Sequence, residues 1–110
     1  FGYIGEPETE FIPELYGDVN FDGYLNVTDI VTIVSYVLNT TIPTEEEFLT
    51  ADMNQDGIVN ILDVIQVVGE ILGTNFRGAV EWLIENFPEL EVERRLQELN
   101  KSEHFAKWLN

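Results

Sequence analysis

Residues 18–29, DVNFDGYLNVTD, carry acidic or amide side chains at positions one, three, five, nine and twelve, and a glycine at position six. Residues 52–63, DMNQDGIVNILD, repeat the arrangement with different residues between. At an offset of 34, residues 18–39 and 52–73 share Asp18/Asp52, Asn20/Asn54, Asp22/Asp56, Gly23/Gly57, Asn26/Asn60, Asp29/Asp63, Val34/Val68 and Leu38/Leu72. Six of those eight identities fall on the polar positions and the glycine, so what is duplicated is chiefly a set of oxygen donors.

That set suits calcium. A hard cation of this size takes 6–8 oxygens, and a twelve-residue loop can wrap one. In the first loop Asp18, Asn20 and Asp22 are expected to ligate through side chains and Tyr24 through its carbonyl. Asn26 would act directly or through water, and Asp29 would close the shell from the start of a helix. The second loop maps likewise onto Asp52, Asn54, Asp56, the Ile58 carbonyl, Asn60 and Asp63. Gly23 and its counterpart Gly57 permit the sharp turn. Magnesium fits less well, because it prefers fewer protein ligands and strict octahedral geometry. One such match could be a polar surface turn; two, each continuing to the twelfth position and opening a helix, point to two calcium ions.

Charge supports a need for cations. The chain of 110 residues has a formal charge of −16, unevenly spread. Residues 1–76 hold fourteen acids and no Lys or Arg, whereas all five bases lie beyond: Arg77, Arg94, Arg95, Lys101 and Lys107. Such a front portion repels nucleic acid and anionic membranes, and its self-repulsion favours bound metal, although solubility is a simpler use for the charge. Hydrophobic residues make up 45%, as in a globular chain. There is no Cys, hence no disulfide and no thiolate metal site, and metal can take the place of a disulfide staple. No run is long and apolar enough to span a membrane. The chain opens at Phe1 without a signal-peptide pattern, as in a mature or excised fragment.

Outward from the loops, TDIVTIVSYVLN has the composition of a strand, yet Ile30, Ile33, Val34 and Val37 repeat with helical spacing, so a helix is expected. Thr44 with Glu47 forms a capping-box pattern for a short helix through about Ala51. LDVIQVVGEILG reads as a second long helix ended by Gly73. Leu25 and Val59, apolar between ligands, suggest a short strand contact between the loops. Pro13 and Gly17 oppose a helix before the first loop, so the units read as loop–helix. Residues 1–15 read as a linker or extended arm. Beyond residue 73, three short amphipathic helices are expected: one with Val80, Leu83, Ile84 and Phe87 on a face and stopped by Pro88, one with Val92, Leu96 and Leu99, and one with a Ser102 cap and Phe105, Trp108 and Leu109. Each is too short to fold alone.

The pair GDVNFDGYLNVTDIVTIVSYVLN and ADMNQDGIVNILDVIQVVGEILG resembles a dockerin, the duplicated calcium-binding module of cellulosome-type assemblies that binds cohesin domains. The resemblance covers about residues 16–73 and leaves 74–110 as an additional helical segment. It implies an all-α fold of two antiparallel, EF-hand-like (F-hand) loop–helix repeats with a short connecting helix, and an extracellular or cell-surface setting.

The mutual core is expected from Ile30, Ile33, Val34 and Val37 against Val64, Val67, Val68 and Ile71. A second apolar face remains on each helix: Val27, Thr28, Val31, Ser35 and Leu38 in the first repeat, and Ile61, Leu62, Ile65, Gly69 and Leu72 in the second. Ser35 and Gly69, small and in matching places, would let a partner's backbone approach. In dockerins the tenth and eleventh loop positions, here Val27–Thr28 and Ile61–Leu62, help choose the cohesin. The resemblance implies that role for them, with mainly hydrophobic recognition. Near-symmetric dockerins can bind in two swapped orientations; the different residues in these repeats argue against it. The C-terminal helices could instead cover this face, giving a purely structural domain. A calcium sensor or buffer is the other alternative, disfavoured by Asp rather than Glu at position twelve. No catalytic set is evident: His104 lacks metal-ligand company, and Glu45–Glu47 read as the solvated start of a helix. Asn39-Thr-Thr is a formal glycosylation sequon.

Overall fold

The computed structural model describes residues 11–100. The expected helix over 102–110, His104, and the aromatics of residues 1–10 lie outside them. Within the described residues five α-helices follow one another: α1 Val27–Val37, α2 Glu45–Ala51, α3 Ile61–Leu72, α4 Phe76–Asn86 and α5 Val92–Asn100, with a 3-10 turn over Pro88–Leu90. No strand occurs among the described residues. The fold is all-α, as the loop–helix pattern requires.

Periodicity prevails over strand propensity in α1 and α3 because each begins on the same strong cap. Asn26 and Asn60 sit in extended conformation and accept from the Thr28 and Leu62 amides, while Asp29 and Asp63 reach back to the cap backbone. These are reciprocal capping boxes, which satisfy otherwise orphaned amides. A Thr44–Glu47 box starts α2, and Gly73, at φ 65°, ends α3 in the left-handed conformation. Tyr36 is buried on α1 with the Glu47 carboxylate of α2 in its electrostatic surroundings. Burial first, and that carboxylate second, push its hydroxyl up to about 12.

α1 and α3 pack together through Ile30, Ile33, Val34 and Val37 against Val64, Val67 and Val68, all buried, with Ile71 half-buried beside them. The C-terminal helices join this same core. α4 lies along α3, and α5 touches both, adding Ala79, Leu83, Leu90 and Val92 to one continuous cluster.

Two local expectations are corrected. Ile84 is 40% exposed; Ala79 and Leu83, one turn apart, centre the buried face of α4, with Val80, Trp82 and Phe87 on its flanks. Leu25 and Val59 form no strand contact. They are half-buried against the core, so they contribute through side-chain packing rather than a backbone ladder. The second loop also differs from the first in having an entering helix, since Asp52 is the C-cap of α2. Ahead of the first loop, residues 11–17 are irregular, and Phe11 packs edge-on against Phe21 at 6.1 Å between ring centroids.

Gly17 joins the halves. It is buried at φ 95°, and its amide donates to the Thr50 carbonyl at 2.7 Å. A Cβ there would lie 2.9 Å from Leu25 Cδ1 and 3.2 Å from both Met53 Sδ and Val67 Cγ2. Gly57, at φ 86°, has nothing within 4 Å of such a Cβ. Gly17→Ala should therefore add overpacking to backbone strain and destabilise by about 2–4 kcal/mol. Gly57→Ala should cost only the strain, about 1–2 kcal/mol. Urea melts in calcium check the order; equal losses would contradict the packing argument.

Candidate metal centres and helix faces

Each polar loop folds its carboxylates inward around the same scaffold of backbone amides. Asp18 Oδ2 accepts from the Gly23 amide at 2.9 Å, and Asp52 Oδ2 from Gly57 at 2.9 Å. Their Oδ1 atoms accept from Asp22 and Asp56 at 3.3 Å. Asp22 and Asp56 accept from Tyr24 and Ile58 at 3.0 Å. The twelfth residue crosses the loop. Asp29 Oδ1 accepts from the Val19 amide at 3.1 Å, and Asp63 Oδ1 from Met53 at 2.8 Å. The fourth position is left-handed in both, Phe21 and Gln55 at φ 57°, as are Gly23 and Gly57 two residues on. Two loops of different intervening sequence thus share one backbone course.

The outcome is two carboxylate triads. One oxygen from each of Asp18, Asp22 and Asp29 lies within 4.8 Å of the others, and Asp52, Asp56 and Asp63 do the same. In each triad the first and last members are buried and the middle one is exposed. Three like charges at that spacing repel by about 1–3 kcal/mol per pair, depending on local screening. The amides that point at them offset part of this. Asp63 is nevertheless pushed up to about 6, by burial first and then by Asp52, against the lowering effect of the Asn60, Met53 and Asn54 amides. Burial, with Asp18 and Asp22, raises Asp29 in the same direction. Hard oxygen donors converging on one point, partly desolvated and mutually repelling, fit a divalent cation of the calcium class.

The remaining expected donors are distributed as follows. Asn20 Oδ1 accepts from Asp22 at 3.3 Å, inside the first loop; Asn54 is exposed. Asn26 and Asn60 direct their side-chain oxygens to the helix amides at 3.1 and 3.0 Å, so the ninth position caps the helix. Tyr24 and Ile58 are exposed at their side chains. Sequence reading overlooked the second loop position, where the Val19 and Met53 amides hold Asp29 and Asp63 in place. What these positions contribute is a backbone amide, and the full burial of the Val19 side chain anchors it.

The second apolar faces are not equivalent. On α1, Val27 and Val31 are each 50% exposed, Thr28 is exposed, and Ser35 and Leu38 are half-buried. On α3, Ile61 and Ile65 are 1% and 2% exposed, contrary to the open face expected of them, because α4 and α5 pack on α3. Leu62 and Gly69 are half-buried and Leu72 remains exposed. Gly69 does not hold space for an outside backbone. The turn after α3 occupies it: the Gly69 carbonyl accepts from the Thr74 amide at 3.1 Å, and a Cβ at Gly69 would stand 3.2 Å from the Thr74 carbonyl oxygen.

No helix among the described residues is long and apolar enough to cross a membrane. Comparison with known proteins returns one family, the dockerin type I domain, over residues 16–72, just over half of the chain. No curated protein and no solved structure matches. Dockerins are non-catalytic modules for calcium-dependent protein–protein interaction, generally with cohesins. With the matched span enclosing both carboxylate triads and both long helices, the chain belongs to the dockerin type I family.

Proposed function

We propose that this chain is a calcium-dependent docking module that binds a cohesin-like protein domain through an apolar helix face, outside the cell or at its surface. Two calcium ions are held, one by Asp18, Asn20, Asp22, the Tyr24 carbonyl and Asp29, the other by Asp52, Asn54, Asp56, the Ile58 carbonyl and Asp63, with Asn26 and Asn60, whose side-chain oxygens also cap the helices, joining directly or through water. The observation that carries this reading is the pair of matching carboxylate triads inside the dockerin span. The ions relieve the repulsion within each triad and thereby fix the capping boxes that start α1 and α3. Millimolar calcium outside cells suits such loops. The half-exposed Val27 and Val31 support docking over a wholly sealed structural role, since that face stays available.

The direct test is surface plasmon resonance against a panel of purified type I cohesin domains, in calcium and in chelator. Binding to at least one, abolished by chelator, is expected. Absence of binding to all of them at millimolar calcium overturns the reading.

Isothermal titration should find two calcium equivalents. Asp22→Ala and Asp56→Ala, each removing an exposed carboxylate from one triad, should each weaken one site by more than about 10-fold and spare the other. A single site in the parent chain would contradict the duplicated assignment.

The effect of pH follows from Asp63. Its folded pKa is raised, so the stability it contributes is present in full below its unfolded value and lost as pH rises through about 6. In chelator the melting temperature should therefore fall between pH 4 and pH 7. In calcium it should rise over the same range, because protons compete with the ion below about 6. Parallel trends with and without calcium would contradict this assignment of Asp63.

A further inference from the structure

The repeats share their loops and helices, yet the corresponding helix faces have opposite fates. Val27 and Val31 are half exposed, whereas their counterparts Ile61 and Ile65 are closed over. The closure is built into the joint between α3 and α4. Gly73 reverses the chain at φ 65°, Thr74 packs over Gly69, and Asn75 caps α4 by accepting from the Gly78 amide at 2.9 Å. Gly78 cannot be replaced there without movement, since a Cβ would lie 2.1 Å from Thr74 Oγ1. Ala79 and Leu83 then enter the common core fully buried. What is left of the α3 surface is a groove of about 580 Å³ edged by Phe76 and the 73–75 turn. Its lining includes Leu62, Ile65, Gln66 and Gly69, so the α3 counterpart of the exposed α1 face is a recess walled by the 73–75 turn and Phe76 rather than a protruding surface.

We infer that the partner docks on α1 alone, in a single orientation, because α4 and the 73–75 turn bury Ile61 and Ile65 and leave the α3 counterpart a recess that cannot present the same protruding contact. This rests on the calcium-dependent docking reading above. The occupant is a cohesin-type domain whose apolar contact surface is bordered by Lys and Arg. α1 itself carries one charged residue, the buried Asp29, so the centre of the contact is apolar and neutral. Residues 11–76, which hold α1, both loops, α2 and α3, contain eleven acids and no Lys or Arg. Two calcium ions offset only four of those charges. A partner with an acidic border, or a second copy of this chain, would be repelled, whereas a basic border is drawn in and oriented.

The test uses the full chain in calcium, with a type I cohesin domain that binds it, and two substitutions on exposed positions: Val31→Lys on α1 and Gln66→Lys in the α3 groove. Circular dichroism in calcium checks that each variant is folded. Docking on α1 alone predicts that Val31→Lys weakens binding by about 100-fold or more and that Gln66→Lys changes it by less than about 3-fold. Interchangeable docking on two faces would keep each single variant within about 2-fold of the parent, because one face always survives. That result, or a loss confined to Gln66→Lys, overturns the inference while leaving calcium-dependent docking in place. If no cohesin binds the parent chain, both readings fall. Should Val31→Lys not fold, Val31→Thr, similar in shape but more polar, is expected to weaken binding by several-fold, and unchanged binding overturns the inference. Association should slow at least about 10-fold between 50 and 500 mM salt; a salt-independent rate removes the basic border. Concentration-dependent dimerisation lost in Val31→Lys would make a second copy the occupant and overturn the choice of partner.

Discussion

The structure turns on the repulsion within two groups of three carboxylates. Each group sits at the junction between a loop and the helix that follows it, and in each the first and last members are buried. Desolvation raises the energy of the charged form, and close like charges raise it further. Backbone amides offset part of this, while burial first and the neighbouring carboxylates after it push Asp29 and Asp63 upward. A divalent cation would offset the rest. The same aspartates that would hold it also close the capping boxes of α1 and α3, so metal binding and helix initiation share atoms. That economy explains how helices rich in Val and Ile, poor formers by intrinsic propensity, begin where they do.

From the loops outward, each layer constrains the next. The caps fix the start of α1 and α3, which sets the rotation of each helix and brings Ile30, Ile33 and Val34 against Val64, Val67 and Val68. Gly17, hydrogen-bonded to Thr50 and pressed by Leu25, Met53 and Val67, locks the entrance of the first loop to the end of α2 and to α3. The C-terminal helices then use α3 as their platform. Their local ion pairs, Arg94 with Glu91 and Glu98, are exposed and add little to stability; the buried Leu83, Leu90 and Val92 attach them. The segment beyond the family match is therefore part of the same hydrophobic cluster.

Much of this was legible in the sequence, for identifiable reasons. The loop residues are polar at fixed spacing, and the geometry of a cation shell leaves few alternatives for D-x-N-x-D-G followed by Asn and Asp. The periodicity of Ile30, Ile33, Val34 and Val37 named the inner face, and Thr44–Glu47 and Gly73 named helix ends, because caps depend on local chemistry. The outer faces were not legible. Val27 and Val31 look like Ile61 and Ile65 in one dimension, and only the path of α4 distinguishes them. Clues did exist in Gly69, Gly73 and Gly78, spaced around a short turn, but a small residue on a helix face equally suggests room for a partner. Ile84 was misplaced for a related reason: several rotations of α4 align apolar residues, and the rotation adopted buries Ala79 and Leu83 fully. Val19 and Met53 escaped notice because their contribution is a backbone amide, which no side-chain pattern reveals.

The most direct test of the central claim is amide hydrogen exchange at Val19 and Met53, the donors to Asp29 and Asp63. If cations hold the two triads together, both amides should be strongly protected in millimolar calcium and should exchange at nearly unfolded rates in chelator, together with the first turns of α1 and α3. Equal protection in the two conditions would mean that the loops stand without metal, and would contradict the claim that cations organise them.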